Sequence, residues 1–444
     1  MADDPVRRVM AALAPRFPSE AHVEPDLERI RLLVDVLGSP HKSYPSIAVT
    51  GTNGKSSTAR IIDGLLHAFG LRPGRFTSPH LESPTERITI DGEPLSAERF
   101  GHVYDEVAPY VELVDSRMPV PMTFFEILTG MAFAAFADAP VDVAVLEVGL
   151  GGLWDATNVA EAQTAVILPV GLDHVPLLGT TLAEIAAEKA GIIHPGATVV
   201  LAAQEPAAAE VLLRRAAEVE ATVAREGLEF GVVDRRTAVG GQLVTLQGLA
   251  GTYDEMFLPL FGAHQAQNAA CAVATVEAFL GGGTARQIDP DAVREGLAAV
   301  QSPGRLEIVR TSPTVLVDAA HNPPGMAATV RALGESFSFT RLVGVVACLA
   351  DKDVRGMLEV LEPALTSIVV TTNSSPRALP VDDLYALALD VFGEDRVAAE
   401  DRLDDAIDTA VQQAEDEVEY GGAGVVVTGS VVTAGEARTL LRVR

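Results

Sequence analysis

Cysteine, lysine and long apolar runs are scarce in this chain, and each scarcity excludes something. Two cysteines in 444 residues are too few for a disulfide framework. Cys271 and Cys348 stand in the apolar contexts NAACAVATV and VGVVACLA, where buried free thiols are expected rather than a disulfide or a metal pair. No apolar run reaches the roughly 18 residues of a bilayer span, and the N-terminal MADDPVRRVM lacks the apolar core of a secretory signal. A cytoplasmic protein with no membrane partner is therefore expected. Basic residues are outnumbered, with 33 Lys and Arg against 61 Asp and Glu, for a formal charge of −28. Nucleic-acid binding needs clustered cations that displace counterions, so no nucleic-acid partner is expected. The same charge repels polyphosphates at long range, but at physiological salt screening acts within about 8 Å and local groups decide. Only four of the cationic residues are lysines, and two of them, Lys55 and Lys189, fall in motif-like segments.

What is present is length and alternation. A chain of 444 residues with 48% hydrophobic content can bury more than one core, which predicts two or three domains. Apolar strand candidates at 47–49, 141–148, 164–170 and 198–202 are separated by helix-like segments such as 124–137 and 182–190. Strands alternating with helices imply a mostly parallel sheet covered on both faces. Residues 219–261 read as short strands broken by glycines, a small antiparallel patch, followed by a long helix over about 265–280. A second alternating unit follows QSPGRLEIV, with strands at 314–317, 342–347, 367–371 and 424–427. The boundary falls near Pro303, giving domains 1–302 and 303–444, and the run EDEVEYGGAG reads as a solvated loop.

The sharpest local pattern is IAVTGTNGKSSTARIIDGLLHAFG, beginning at Ile47. An apolar strand enters a turn with two glycines and a lysine, and a periodic helix leaves it, the arrangement in which backbone N–H groups and a helix N-terminus cradle a polyphosphate. The ordinary P-loop spacing would place a glycine at Val49, so what stands here is the shorter GTNGKSS. Lys55 supplies a phosphate charge partner, and Ser56 and Ser57 supply hydroxyls suited to Mg²⁺. Two further strands end in polar groups: Glu147 in VAVLEVGLGG, and Asp173 with His174 in ILPVGLDHVPLLG. Ligands of open α/β sheets gather at the C-terminal ends of strands. Singly, Glu147 reads as a turn cap and His174 as a loop histidine; together they point to the crevice that faces the turn. Ser78-Pro79-His80 precedes a hairpin with Asp91-Gly92 as its turn. By itself Lys189, on a helix with Glu184 and Glu188, reads as a surface ion pair worth under ~1 kcal/mol.

Taken in order, GTNGKSS, TSPHL…ERI, FFE, EVGLGG…DATN, LDH…LG, EKAGI, GAHQAQNAACA, GRLE, DAAHNPPG, DKD and TGS…GEAR resemble the folylpolyglutamate synthase and dihydrofolate synthase family of the Mur ligase superfamily. The likeness runs from about residue 25 to 438. It implies an α/β fold: a P-loop-containing, mostly parallel sheet like the central domain of Mur ligases, then a smaller Rossmann-like domain. It also implies an ATP-dependent amide ligase that joins L-glutamate to a folate or dihydropteroate carboxylate through an acyl phosphate.

By the same resemblance, Thr52, Asn53, Gly54, Lys55, Ser56 and Ser57 bind ATP together with Asn268, Arg305, Asp318 and His321, with domain closure completing the site. Ser56, Ser78, Glu147 and His174 fall where the family holds Mg²⁺, at two sites, and the catalytic set is Lys55, Glu147, His174 and Lys189. Lys189 matches a lysine carried as a carbamate and belongs to the substrate site as well. Thr123, Phe124, Phe125 and Glu126, with Trp154, Asp155 and the segment PDLER from Pro25, match the pterin region. A monomer active on both folate and dihydropteroate is expected.

The sequence departs from the family at Ser56, where glycine is common, in Asp-Ala-Ala at 318–320 for Asp-Gly-Ala, and in Glu82-Ser83-Pro84-Thr85. Three rival readings are weaker. A peptidoglycan Mur ligase is expected to carry a further domain ahead of the turn, where 46 residues stand, and a GTPase needs an Asn-Lys-x-Asp motif. A scaffold without activity would be expected to lose Lys55, Glu147 or Lys189.

Overall fold

Eight strands build the sheet that carries the glycine turn. They are β1 (Ser46–Thr50), β2 (Pro73–Phe76), β3 (Ile88–Ile90), β4 (Glu93–Pro94), β5 (Val143–Glu147), β6 (Thr164–Ile167), β7 (Thr198–Leu201) and β8 (Thr222–Arg225), in the order β4-β3-β2-β5-β1-β6-β7-β8. The computed structural model describes residues 4–16, 26–281, 287–415 and 422–443. From β2 to β8 all pairings are parallel, and β3 and β4 add an antiparallel edge. β1, β5 and β6 are buried along their whole length, which is why they read as unbroken apolar runs rather than alternating ones.

β1 lies between β5 and β6, with Val49 in register with Glu147 and Thr50 with Ile167. The C-terminal end of β1 is therefore flanked by the end of β5, whose last residue is Glu147, and the end of β6, whose following loop leads to His174. One face is filled by a cluster that includes Leu33, Phe76, Phe100, Phe133 and Phe136. The nearly all-apolar helix Phe124–Asp138 runs through it. The same face is filled farther along, over β6 and β7, around Ile167, Ile185, Ile192 and Leu212.

Three differences from the sequence reading have plain causes. The strand expected over 164–170 ends at Ile167, because Pro169 has no N–H to give a ladder. Residues 222–225 do not open the small sheet; they pair parallel with β7 as the eighth strand. The small sheet is β9 (Gly231–Ala238), β10 (Gly241–Gln247) and β11 (Thr252–Leu258), in the order β11-β10-β9. β2 carries Pro73 and Gly74, which read as breakers, yet a Cβ on Gly74 would lie 2.6 Å from the Phe136 ring, so only glycine fits there.

The chain divides into two units. The first comprises Met1–Arg235, Leu243–Leu258 and Ala266–Val300; the second comprises Arg236–Gln242, Pro259–Gln265 and Gln301–Arg444. A single cut after residue 302 leaves two short segments, 236–242 and 259–265, on the other side. The second unit is built on β12 (Glu307–Thr311), β13 (Thr314–Val317), β14 (Phe339–Val346), β15 (Ser367–Val370), β16 (Val397–Ala399) and β17 (Gly422–Thr428), ordered β12-β13-β17-β14-β15-β16. All pairs are parallel except the antiparallel β12 edge. Both cysteines are buried and unpaired. Residues 416–421 of the acidic run lie outside the described residues, as does Pro25. No helix among the described residues is long and apolar enough to cross a membrane.

Candidate active site

The turn after β1 is forced into shape by its glycines. Gly51 has φ 148° and Gly54 φ 86°, both in the region that disfavours side chains. A Cβ on Gly51 would stand 2.6 Å from Leu168 Cβ, and one on Gly54 2.8 Å from Asn268 Oδ1. Asn268, 214 positions away in sequence, thus lies directly against the turn. Gly54, at the N-cap of the helix Lys55–Ala68, brings no side-chain cap of its own. Thr52 is tied to the loop after β6: its N–H donates to Pro169 O, its hydroxyl donates to Gly171 O at 3.0 Å, and Gly171 N–H donates to Thr52 Oγ1 at 2.8 Å. Asn53 lies in the same turn and Ser57 is buried behind it.

Two ammonium groups meet here. Lys55 Nζ donates to Gly51 O at 3.0 Å and to Thr52 O at 3.1 Å. Lys189 Nζ donates to the same Gly51 oxygen at 3.1 Å, with the residue only 3% exposed. Burial, and then the charge of Lys55, pull the Lys189 amine down to about 7, against the carboxylates of Asp173, Asp155 and Glu188. Lys189 is therefore no surface lysine. Its helix Leu182–Lys189 is held by close backbone packing, with Leu153 N–H donating to Glu188 O at 2.8 Å and no room for a Cβ on Gly152.

Glu147, 1% exposed, joins the turn to the loop after β2. Ser56 Oγ donates to its Oε1 at 2.7 Å and Ser78 N–H donates to its Oε2 at 3.1 Å. This sets the Ser56 hydroxyl against the Glu147 carboxylate, hard oxygen donors whose chemistry fits Mg²⁺, with the Ser78 backbone N–H on the other carboxylate oxygen. His174, at φ 50°, begins the short helix Val175–Leu178, and its backbone N–H donates to Asp173 Oδ1. No group of three or more His, Cys, Asp and Glu forms a ready cage among the described residues. Mg²⁺ bound through one or two carboxylates plus phosphate oxygens needs none.

The residues matched to the pterin region fall around the start of the helix Phe124–Asp138. Thr123 and Glu126 form a capping box, and Glu126 also accepts from Arg29 Nε at 3.0 Å in a buried ion pair. Asp26 joins the same guanidinium at 3.3 Å, so the PDLER segment, from Asp26 onward, is tied to this helix. Phe125 packs on Phe76 with centroids 5.6 Å apart and fills the space where Gly149 would carry a Cβ. Asp155 is buried and accepts from Leu150 N–H and from the N–H and hydroxyl of Thr157, shaping the glycine loop after β5. Burial pushes its carboxyl up from the ordinary range. Trp154 helps line a cavity of about 690 Å³ that Leu27, Arg31, Lys42 and His194 also border.

Arg87, in the ERI of TSPHL…ERI, has no role assigned by the sequence alone. Its Nε donates to His80 Nδ1 at 2.8 Å, and its guanidinium lies 5.2 Å over the Phe124 ring. Burial draws it down to about 10 in spite of the Glu147 and Glu86 carboxylates. Burial, with Arg87 adding to it, lowers His80 to about 4, so the imidazole is neutral and accepts. Glu86 collects the N–H groups of Leu81, Glu82 and Ser83, which holds the divergent Glu82–Thr85 stretch in a defined turn.

In the second unit, Asp318 is the organising residue. It accepts from Leu306 N–H, Ala320 N–H and Thr329 Oγ1, at 2.9, 3.0 and 2.7 Å. Arg305 donates to Gly304 O, and His321 Nδ1 lies 2.9 Å from Ala319 O. The GRLE and GEAR motifs meet where Arg438 Nε donates to both Glu307 oxygens, at 2.9 and 2.8 Å.

A glycine turn with a lysine at the end of β1, a carboxylate at the end of β5 and a second parallel α/β unit define a Mur ligase. The family model for the Mur ligase middle domain matches residues 107–276, and that for the glutamate ligase domain of Mur ligases matches 304–431. The chain is 52% identical to the dihydrofolate synthase/folylpolyglutamate synthase of Mycobacterium tuberculosis, covering 96% of this chain and 91% of that one. A solved structure of Mycobacterium tuberculosis folylpolyglutamate synthase complexed with ADP superposes with a TM-score of 0.94, at 52% identity over 98% of each chain. E. coli FolC in complex with DHPP and ADP superposes at 0.86, with 29% identity over 100% of this chain and 99% of that one. The chain belongs to the dihydrofolate synthase/folylpolyglutamate synthase family and is an ATP-dependent ligase.

Proposed function

We propose that this chain joins the amino group of L-glutamate to the carboxyl group of both dihydropteroate and a reduced folate, with ATP as co-substrate. The carrying observation is the meeting of the Lys55 and Lys189 amines on the carbonyl of Gly51, two nitrogen donors gathered on one glycine turn in a protein of net charge −28. Such a gathering has its reason in an anion held at the turn. Support for the substrate class comes from the Mycobacterium tuberculosis relative, named for both activities, and from the E. coli protein in complex with DHPP and ADP.

A carboxylate acylates amines poorly because its oxygen is a bad leaving group. In the proposed reaction the acceptor carboxylate oxygen bonds to the γ-phosphorus as the bond to ADP breaks. The amine of glutamate then attacks the acyl carbon, phosphate departs with the carbon–oxygen bond, and the amine gives up its proton. The N–H groups at the start of the helix Lys55–Ala68 and the Lys55 ammonium would hold the phosphates, as groups fixed before the reaction begins. Ser56, Ser78, Glu147 and His174 would hold Mg²⁺, at two sites, which supplies charge neutralisation for the phosphoryl group when bound. Lys189, held near 7, has a large neutral fraction at physiological pH. Its nitrogen lone pair can bond to CO₂ with loss of a proton, exchanging a cation for an anionic carbamate. The cavity beside Trp154 and Leu27 is of a size for a flat ring system.

The test is ADP release with ATP, Mg²⁺ and L-glutamate, comparing 7,8-dihydropteroate with tetrahydrofolate, beside Lys55→Ala. Turnover with both acceptors, lost in the variant, is expected. Turnover with tetrahydrofolate alone removes the dihydropteroate half, and silence with both sinks the folate reading in favour of another carboxylate.

A further inference from the structure

The loop between β6 and His174 does more than connect. Leu168 is the wall against which Gly51 is pressed, and Pro169 and Gly171 are the partners of Thr52. Whatever fixes residues 167–171 therefore fixes the turn that holds Lys55 and the Gly51 carbonyl. Beside the backbone bonds of Leu168 N–H to Thr50 O and Ala202 N–H to Ile167 O, one half-buried side chain just past β7 grips three of these residues. Gln204 Oε1 accepts from Val170 N–H at 3.0 Å, while Gln204 Nε2 donates to Leu168 O at 3.0 Å and to Ile167 O at 3.3 Å.

Only a primary amide of this length does all three. The carbonyl and amino ends of the side chain are both used, so the orientation of the amide is set by its partners. A carboxylate has no donor for the two carbonyls, methionine has the length but neither function, and asparagine is one methylene short. Gln204 is anchored in turn by its neighbours: Ala203 N–H donates to Glu226 Oε2 at 2.9 Å, and Ala202 N–H to Ile167 O at 3.0 Å.

We propose that Gln204 is a positioning residue for nucleotide binding, acting through residues 167–171 on Gly51 and Thr52. The proposal rests on the assignment of the turn as the phosphate site. Gln204 does not touch the turn itself, so its loss lets the loop relax rather than removing a ligand.

The test is steady-state kinetics of ADP release and direct ATP binding for Gln204→Met, Gln204→Ala and Lys55→Ala. A loss of one or two hydrogen bonds of this kind corresponds to roughly 5- to 30-fold. Gln204→Met, which keeps the packing, is expected to raise KM for ATP by that factor, as Gln204→Ala does, while KM for glutamate and for the pterin acid stays within about twofold. Thr52→Val should give a similar rise, and the double variant with Gln204→Met should add little to either. An unchanged KM for ATP in Gln204→Met overturns the proposal. So does a rise of all three KM values together with a fall in melting temperature, which is general loosening. Loss of ATP binding in Lys55→Ala but not in the Gln204 variants overturns this proposal alone; retention in all of them overturns it together with the assignment of the turn.

Discussion

Lys55 and Lys189 donate to a single acceptor, the carbonyl oxygen of Gly51, at 3.0 and 3.1 Å. Burial penalises the charge of Lys189 first, and the neighbouring Lys55 ammonium adds to the penalty. Lys189 gives way, held down to about 7.

That shift has a stability signature. The folded value lies below the ordinary lysine value of 10.5, so between the two the unfolded chain binds more protons and stability rises with pH. Below about 7 the buried charge is carried in full, and above 10.5 it is absent from both states. Lys189→Met removes the charge and loses one hydrogen bond at every pH. Its unfolding midpoint in urea, taken relative to the parent, should therefore be more favourable at pH 6 than at pH 9. Equal differences at the two pH values would show that Lys189 does not titrate in this window.

Glu147→Gln keeps the shape of a buried side chain and removes its charge. The amide oxygen can still accept from Ser78 N–H while the amide NH2 donates to the Ser56 hydroxyl oxygen, so the fold should survive, while kcat for ADP release should fall on the order of a hundredfold or more. A change of less than threefold would remove Glu147 from the chemistry.

Gly54→Ala asks the turn for two things at once. The residue would have to hold φ 86° and place a Cβ 2.8 Å from Asn268 Oδ1. A cost of about 1–3 kcal/mol in unfolding free energy is expected, with weakened ATP binding in the folded protein. Binding equal to the parent would mean that the turn is more adaptable than its dihedrals imply.

Asp63 and Arg75 form an ion pair at 2.5 Å, each about 5% exposed, away from the phosphate turn. Asp63→Ala strands the guanidinium, and roughly 3–5 kcal/mol should be lost on urea unfolding. ADP release by the folded fraction should be unaffected. A loss under 1 kcal/mol would show that water reaches Arg75.

Much of this was legible beforehand, and the reasons differ from place to place. β1, its turn and the helix Lys55–Ala68 could be read because buried parallel strands are apolar throughout and phosphate turns need glycine. β12 was missed because its EIVRT mixes charge into an exposed edge, and β2 because glycine there answers to Phe136 rather than to a loop. Lys189 looked like half of a surface ion pair since its helical neighbours are acidic. Its burial follows from Gly152 and Gly191, which let the glycine loop close against its helix, a contact no local window shows. Gln204 was invisible for another reason: its partners are all backbone, and backbone leaves no letter in a sequence.

The two cysteines, noticed first for their rarity, make the chain a clock for its own opening. Cys271 belongs to the first unit and Cys348 to the second, both are shut away from solvent, and burial pushes the Cys348 thiol up to about 12 and Cys271 upward as well. A thiol reagent can therefore act only during moments when the surrounding core comes apart. The rates at which the two sulfurs are labelled, told apart by peptide mass, time the breathing of each half of the protein without any added probe.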